Sequence, residues 1–471
     1  MKHRDREHRD GEFIDREHGD GEFRDREHRE HGARECRGGE HRDRKYMSSR
    51  ITVTVAGICM LLLVMLIRYP AYAADFIQKP ISAGSVNETA AYRGQAQTGR
   101  KSDSKFVKAM ANTSVRLLQE ALHAKKKNQN VLISPDSVLT ALSFVGNGAS
   151  GKTRTEFKRT LGGVTPKKYS SYLLGLHRRI AKDDAVDYQV ANSLWYRSGK
   201  IRLKEAFLRR AANDYEADIC AAPFDSGTIN DINNWVYNGT RGKIPSIINR
   251  LDPLQRTAVI NAVYFKGEWA EKYTGTRKRT FTKSSGSKQK VRMLEGSEKE
   301  YLTVNEAKGF VKDYAGRKLA FVALLPPKNT TVDQFVKNLN GSDLIKGYKN
   351  RKKEQVIVRT RMPEFSYEDS MSLEKPLRRM GLKTAFTARA NFSKMANTSL
   401  QIDDVLHKTY ISVDKNGTEA AAVTAVMMRA MAAPPLQKPE IKKVYLNRPF
   451  VYAIVEKKTG VPLFLGVVKK V

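Results

Sequence analysis

From Gly417 to Val426 the chain reads Gly-Thr-Glu-Ala-Ala-Ala-Val-Thr-Ala-Val, and the alternate residues Thr418, Ala420, Ala422 and Thr424 are all small. Alternate side chains of an extended strand share one face. A strand whose inward face is this small can slip between two others without displacing a packed core. On these residues alone, an alanine-rich helix and a flexible linker are open readings too.

The rest of the sequence narrows the setting. Of the 471 residues, 40 % are hydrophobic, so most of the chain can bury a core. The formal charge of +34 is unevenly placed: residues 1–46 hold 13 basic and 14 acidic groups, 47–73 only Arg50 and Arg68, and 74–471 the remaining +33. Cys36, Cys59 and Cys220 fall one in each of these segments, which excludes a disulfide-stapled miniprotein. Only Val53–Ile67 is both long and apolar, which excludes a polytopic membrane protein.

Residues 1–46 repeat Asp-Arg-Glu-His at Asp5, Asp15 and Asp25 and hold six of the nine histidines. So polar a repeat buries too little to offset chain entropy, and is read as disordered or as lying outside the translated chain. Its ten-residue period lacks metal-ligand geometry. Met47 then opens a signal-peptide pattern over 47–73: Arg50, the apolar run, and Ala71-Tyr72-Ala73 as a cleavage site. Translated from Met1, the same run would be a membrane anchor. Cleavage leaves 74–471, with 74–100 as a flexible leader and a domain from 101 onward. Eight Asn-x-Ser/Thr sequons between Asn87 and Asn416 fit secretion and glycosylation.

Within that domain, Phe106, Met110, Leu117, Leu118 and Ala121 recur at helical spacing after Ser102-Asp103, which can cap. Ser134-Pro135 starts a second helix through Val145. Strands are expected at Leu319–Leu325, Val356–Arg361, Tyr410–Asp414, Val451–Val455 and Pro462–Val468. Helices dominate the first half and strands the second, so the class is α+β and not a parallel βαβ array.

Gly146–Thr153 matches the P-loop pattern, but it follows a helix with a Ser-Pro start instead of a buried strand. A nucleotidase is therefore disfavoured against a glycine-rich turn between helices. No Gly-x-Ser-x-Gly occurs, and His123, His177 and His407 are scattered, so neither hydrolase chemistry nor a metal site is expected. The chain is read as a non-enzyme without a cofactor.

Six ordered stretches resemble the serpins, and most closely the secreted serpins of arthropods, over about residues 101–471. They are Asn130–Ser137, Asn234-Trp235 with Thr240–Ile244, Asn261–Trp269, Phe386–Phe392, Thr418–Ala422, and Pro449-Phe450 with Pro462–Gly466. The resemblance implies a large antiparallel sheet, two smaller sheets, about nine helices and an exposed reactive loop within 415–440. It implies a monomeric suicide substrate: a serine protease cleaves the loop, and the hinge strand inserts into the sheet before the acyl-enzyme is resolved. A non-inhibitory carrier or chaperone is the alternative within the family. No nucleic acid or membrane partner is implied.

Carried onto this sequence, the resemblance places Ser134, Ser137, Asn261 and His407 as a polar shutter and Trp269 at the top of the sheet. The hinge comprises Lys415, Gly417, Thr418, Glu419, Ala420, Ala421, Ala422 and Thr424. Lys415 and Glu364 reverse the signs of the family's usual pair, so an ion pair between them is expected. Counting fifteen residues from Gly417 puts the cut between Met431 and Ala432, with Arg429 as the rival; methionine suits elastase- or chymotrypsin-like proteases. Lys167, Lys168, Arg178, Arg179 and Lys182 would form a glycosaminoglycan site near the helix some serpins use for heparin, with the polyanion as an accelerator. Cys220 is read as buried filler.

Overall fold

Hydrophobic patterning sorts the chain into three sheets and, among the described residues, nine α-helices. The computed structural model describes residues 84–94, 99–199, 201–418 and 438–471. The 1–46 repeat, the 47–73 signal peptide, hinge residues 419–424 and the Met431–Ala432 bond lie outside them.

The first helix, α1 (Ser104–Ala124), starts where Asp103 accepts the Phe106 N–H at 2.7 Å, and it buries Phe106, Met110, Leu117, Leu118 and Ala121. Helix α2 (Pro135–Gly146) has Ser134 as its cap and proline in its first turn; all twelve residues are buried, and its Thr140 and Ser143 hydroxyls donate to the Asp136 and Leu139 carbonyls one turn back. Helix α3 (Gly151–Thr160) follows directly, so the P-loop-like Gly146–Thr153 is a helix–helix turn. Helix α4 (Pro166–Ile180) packs against α2.

Strands are numbered along the chain. The central sheet runs β1 (Val86–Asn87), β4 (Asp218–Ala222), β3 (Val186–Arg197), β5 (Thr257–Glu268), β14 (Gly417–Thr418), β13 (Val405–Val413), β12 (Phe365–Ser372). Behind it lies a second sheet of β2 (Val131–Ile133), β17 (Pro462–Val468), β16 (Phe450–Glu456), β10 (Leu319–Leu325), β9 (Ala307–Asp313) and β8 (Glu300–Val304). A third comprises β15 (Glu440–Tyr445), β11 (Val356–Pro363), β7 (Lys288–Glu298) and β6 (Thr276–Thr282). Strands β16 and β17 are buried along their whole length, and their sequences are accordingly continuous apolar runs.

The central sheet is antiparallel in the main, as expected, with β3–β4 and β5–β13 as parallel pairs. One expectation changes: residues 84–94 are not a flexible leader, since β1 adds an edge strand to β4, Thr89 is fully buried, and Asn87 and Arg93 both bond Asp218.

Candidate functional site

Strands β5 and β13 pair in parallel from Val259–Val405 to Val263–Thr409, and no further. Above that point they splay, and β14 sits in the fork antiparallel to both, with Gly417 opposite Glu268, Thr418 opposite Gly267, and Val413 opposite Thr418. A chain returning from β13 must reverse direction, so it meets both walls antiparallel. Extending β14 downward would replace a parallel contact, the slightly weaker kind, by two antiparallel ones.

Under the closed part lies a buried polar cluster. Register places Asn192 of β3 and His407 of β13 on either side of Asn261 of β5. Asn261 Nδ2 donates to Asn192 Oδ1 and Ser137 Oγ at 2.6 Å and to the Ser137 carbonyl at 3.0 Å. His407 Nε2 accepts the Ser134 N–H at 3.1 Å. Its proton is therefore on Nδ1, which donates to Asn261 Oδ1 at 2.6 Å. Burial pushes His407 down to about 3, and the ring is neutral. Ser134 Oγ donates to the Leu463 carbonyl at 2.9 Å. The structure thus brings Ser134, Ser137, Asn261 and His407 together and adds Asn192, which sequence reasoning missed. The polar pair Asn192-Ser193 between Val190-Ala191 and Leu194-Trp195 was the available signal.

At the top of the fork, Trp269 holds the incoming chain: its Nε1 donates to the Asp414 carbonyl and its N–H to that of Asn416, each at 2.9 Å. The Tyr273 N–H reaches the Lys415 carbonyl at 3.0 Å. Tyr314, stacked on Trp269 with centroids 4.7 Å apart, shares a 2.6 Å hydrogen bond with the Thr418 hydroxyl. Glycine at 267 permits this approach, since a Cβ there would lie 2.9 Å from the Tyr314 ring. Beneath, Lys312 donates to Glu298 at 3.0 Å and to the Glu271 carbonyl at 2.8 Å, with its ammonium 4.2 Å from the Tyr273 ring centroid. Burial pushes Glu298 up to about 7, although Lys312 opposes it.

The Glu364–Lys415 pair does not form. Glu364 pairs with Arg292 at 2.5 Å because the β11–β7 register, with Pro363 opposite Met293, brings the next residues Glu364 and Arg292 together across the strands. Lys415 is exposed and meets the site through its carbonyl. Of the basic group, Lys167 and Lys168 are exposed at the start of α4 and Lys182 beyond its end, with Arg178 half-buried. Arg179 is engaged with Glu456 at 3.2 Å and with Ser102 at 3.0 Å, so these five are not one free stripe. Cys220 is a buried free thiol whose pKa burial raises, as filler requires. Among the described residues no cluster of three His, Cys, Asp or Glu could hold a metal ion.

A strand-accepting fork over a neutral polar cluster is the geometry that the resemblance implied, and the family comparison agrees with it: residues 108–471 match the model described as Serpin (serine protease inhibitor). The chain is a serpin. An uncharacterised serpin-like protein of Thermococcus kodakarensis is 34 % identical over 353 residues, 72 % of this serpin and 80 % of that protein. The leukocyte elastase inhibitor of Sus scrofa is 30 % identical over 374 residues, covering 76 % and 97 %. Among solved structures, the thermophilic serpin tengpin in its native state superposes with a TM-score of 0.76 at 35 % identity, covering 82 % of this serpin and all of that chain.

Proposed function

We propose that this serpin is a secreted inhibitor that traps serine proteases of elastase- or chymotrypsin-like specificity at Met431–Ala432. The observation that carries this is the seating of Gly417 and Thr418 as an antiparallel strand between β5 and β13. Insertion needs only to extend a strand already begun. Continued in the register of Thr418, an inserted strand would bring the small residues Ala420, Ala422 and Thr424 to the core face, and a non-inhibitory carrier or chaperone would tolerate bulky or charged side chains there. Methionine at 431 fits an apolar specificity pocket, and the relative from Sus scrofa is named as an elastase inhibitor. The signal-peptide pattern and the sequons support secretion.

Replacing Thr424 by Arg tests the reading. A charged side chain cannot enter the sheet's core face without a large desolvation penalty. The variant is expected to be cleaved as a substrate with its trapping lost, while the native fold is unchanged. Trapping that survives Thr424→Arg contradicts it.

A further inference from the structure

The eight Asn-x-Ser/Thr sequons all fall within the described residues, and the fold treats their side-chain amides in opposite ways. Asn87 and Asn391 make the contrast. Each forms an Asx turn, in which the side-chain carbonyl accepts the N–H of the sequon's third residue, from Thr89 at 3.0 Å and from Ser393 at 3.1 Å. The amide nitrogen is then what distinguishes them. Asn87 Nδ2 is spent on Asp218 at 2.6 Å, and Thr89, fully buried, takes the Ile219 N–H. Asn391 Nδ2 has no hydrogen-bond partner among the described residues, and Asn391 and Ser393 are both exposed.

The remaining six divide the same way. Asn329 and Thr331 are exposed in the turn between β10 and the helix Val332–Asn338, and Asn397 is exposed in a bend together with Thr398 and Ser399. Neither of these two nitrogens has a partner among the described residues. Asn112 is half-buried on α1, its Oδ1 accepts the Ser342 N–H at 3.0 Å, and Thr113 and Ser114 are buried. Asn238 is half-buried in the last turn of the helix Ser226–Gly239, and the fully buried Thr240 donates its hydroxyl to the Val236 carbonyl at 2.8 Å. Asn340 caps the helix Gly341–Lys349 by accepting the Asp343 N–H at 2.9 Å, and its Nδ2 donates to the Asp343 carboxylate. Asn416 is half-buried at the mouth of the fork, with the hydroxyl of its Thr418 held by Tyr314.

An N-linked glycan is a bulky hydrophilic group, and it needs solvent beyond Nδ2. An asparagine whose nitrogen or third-residue hydroxyl is packed against protein cannot regain its native place once modified; one that faces water can. On the secretory reading proposed above, we infer that Asn329, Asn391 and Asn397 carry N-linked glycans and that the other five sequons are bare. In the step itself, Nδ2 bonds to the anomeric carbon of an N-acetylglucosamine in a polyprenyl-diphosphate-linked oligosaccharide. The bond from that carbon to the diphosphate oxygen breaks, the diphosphate leaves with the electron pair, and Nδ2 gives up one proton to solvent. Sugar is thereby kept away from Asn416, where it would crowd the strand that insertion extends.

The test expresses the full chain in a eukaryotic secretory cell line and recovers it from the medium. Peptide-N-glycosidase digestion in heavy-oxygen water marks each formerly glycosylated asparagine as a labelled aspartate, and mass spectrometry maps the labels. Asn329, Asn391 and Asn397 are expected to be labelled. Each single change of these three to Gln should remove one step of electrophoretic mobility, whereas Asn87→Gln, Asn112→Gln and Asn416→Gln should remove none. Where a variant is not exported, the site map of the parent protein decides. A secreted protein unmodified at any of the three, or labelled at any of the other five, overturns the inference while leaving secretion intact. A chain retained in the cell with every sequon unmodified overturns the secretory reading together with it.

Discussion

The hydroxyls of Tyr314 and Thr418 lie 2.6 Å apart, so a ring stacked on Trp269 holds the second residue of the strand that enters the central sheet. Thr418 is 1 % exposed and Tyr314 fully buried, and neither hydroxyl has water to fall back on. Tyr314→Phe leaves the Thr418 hydroxyl buried without this partner, which costs about 1–3 kcal/mol. Hydrogen exchange of the 414–418 amides is expected to accelerate while the core of β5 stays protected. Unchanged exchange would mean that backbone pairing alone seats the hinge.

Sheet opening is a separate requirement. Ile260 and Leu406 are register partners across the β5–β13 pair, with Cα atoms about 4.8 Å apart, inside disulfide range. With both replaced by cysteine and oxidised, the sheet cannot part, and the protein should be cleaved without trapping. Dithiothreitol should restore trapping. An oxidised form that still traps would show that insertion uses another gap.

Much of this was legible in the sequence. Strands Leu319–Leu325 and Pro462–Val468 fall where continuous apolar runs put them, and the Asp103 and Ser134 caps start α1 and α2 as read. Strand β13 begins five residues earlier than its apolar alternation suggested, because His407 and Lys408 interrupt the pattern, while in the fold His407 bonds the buried Asn261 and Lys408 reaches the Ser246 carbonyl. What stayed hidden depends on register. Asn192 reaches Asn261 across 69 residues of chain, and Glu364 meets Arg292 because of how β7 lies against β11. Charge signs along a chain do not report which strands become neighbours.

The shutter histidine has a distinct pH signature. Folded His407 takes a proton only near pH 3, whereas the free imidazole does so near 6.5. Between these values the unfolded chain binds more protons, so this group's contribution to stability is intact above 6.5 and lost as pH falls toward 3. The His407 ring resonances are expected to stay at their neutral positions down to about pH 5. Titration near 6.5 would contradict the Ser134–His407–Asn261 chain.

Glu298 works in the opposite sense. Its carboxyl is raised from 4.5 to about 7, so its contribution is present below 4.5 and lost as pH rises through 7. Lys312→Met leaves this carboxylate buried and unpaired, and should cost about 3–5 kcal/mol at pH values where it is ionised. At about pH 5, where Glu298 holds its proton, the penalty should shrink markedly. Adding Glu298→Gln should remove most of the pH dependence. A loss equal at both pH values would place the effect in packing against Tyr273 and Trp269 rather than in charge.

The most direct measurement is incubation with elastase-, chymotrypsin- and trypsin-like proteases, read by denaturing electrophoresis and mass spectrometry of the released peptide. A denaturant-resistant complex is expected with an elastase- or chymotrypsin-like enzyme, together with a C-terminal fragment that begins at Ala432. Cleavage by every enzyme with no complex, or a fragment that begins at Ala430 with a trypsin-like target, would contradict the account.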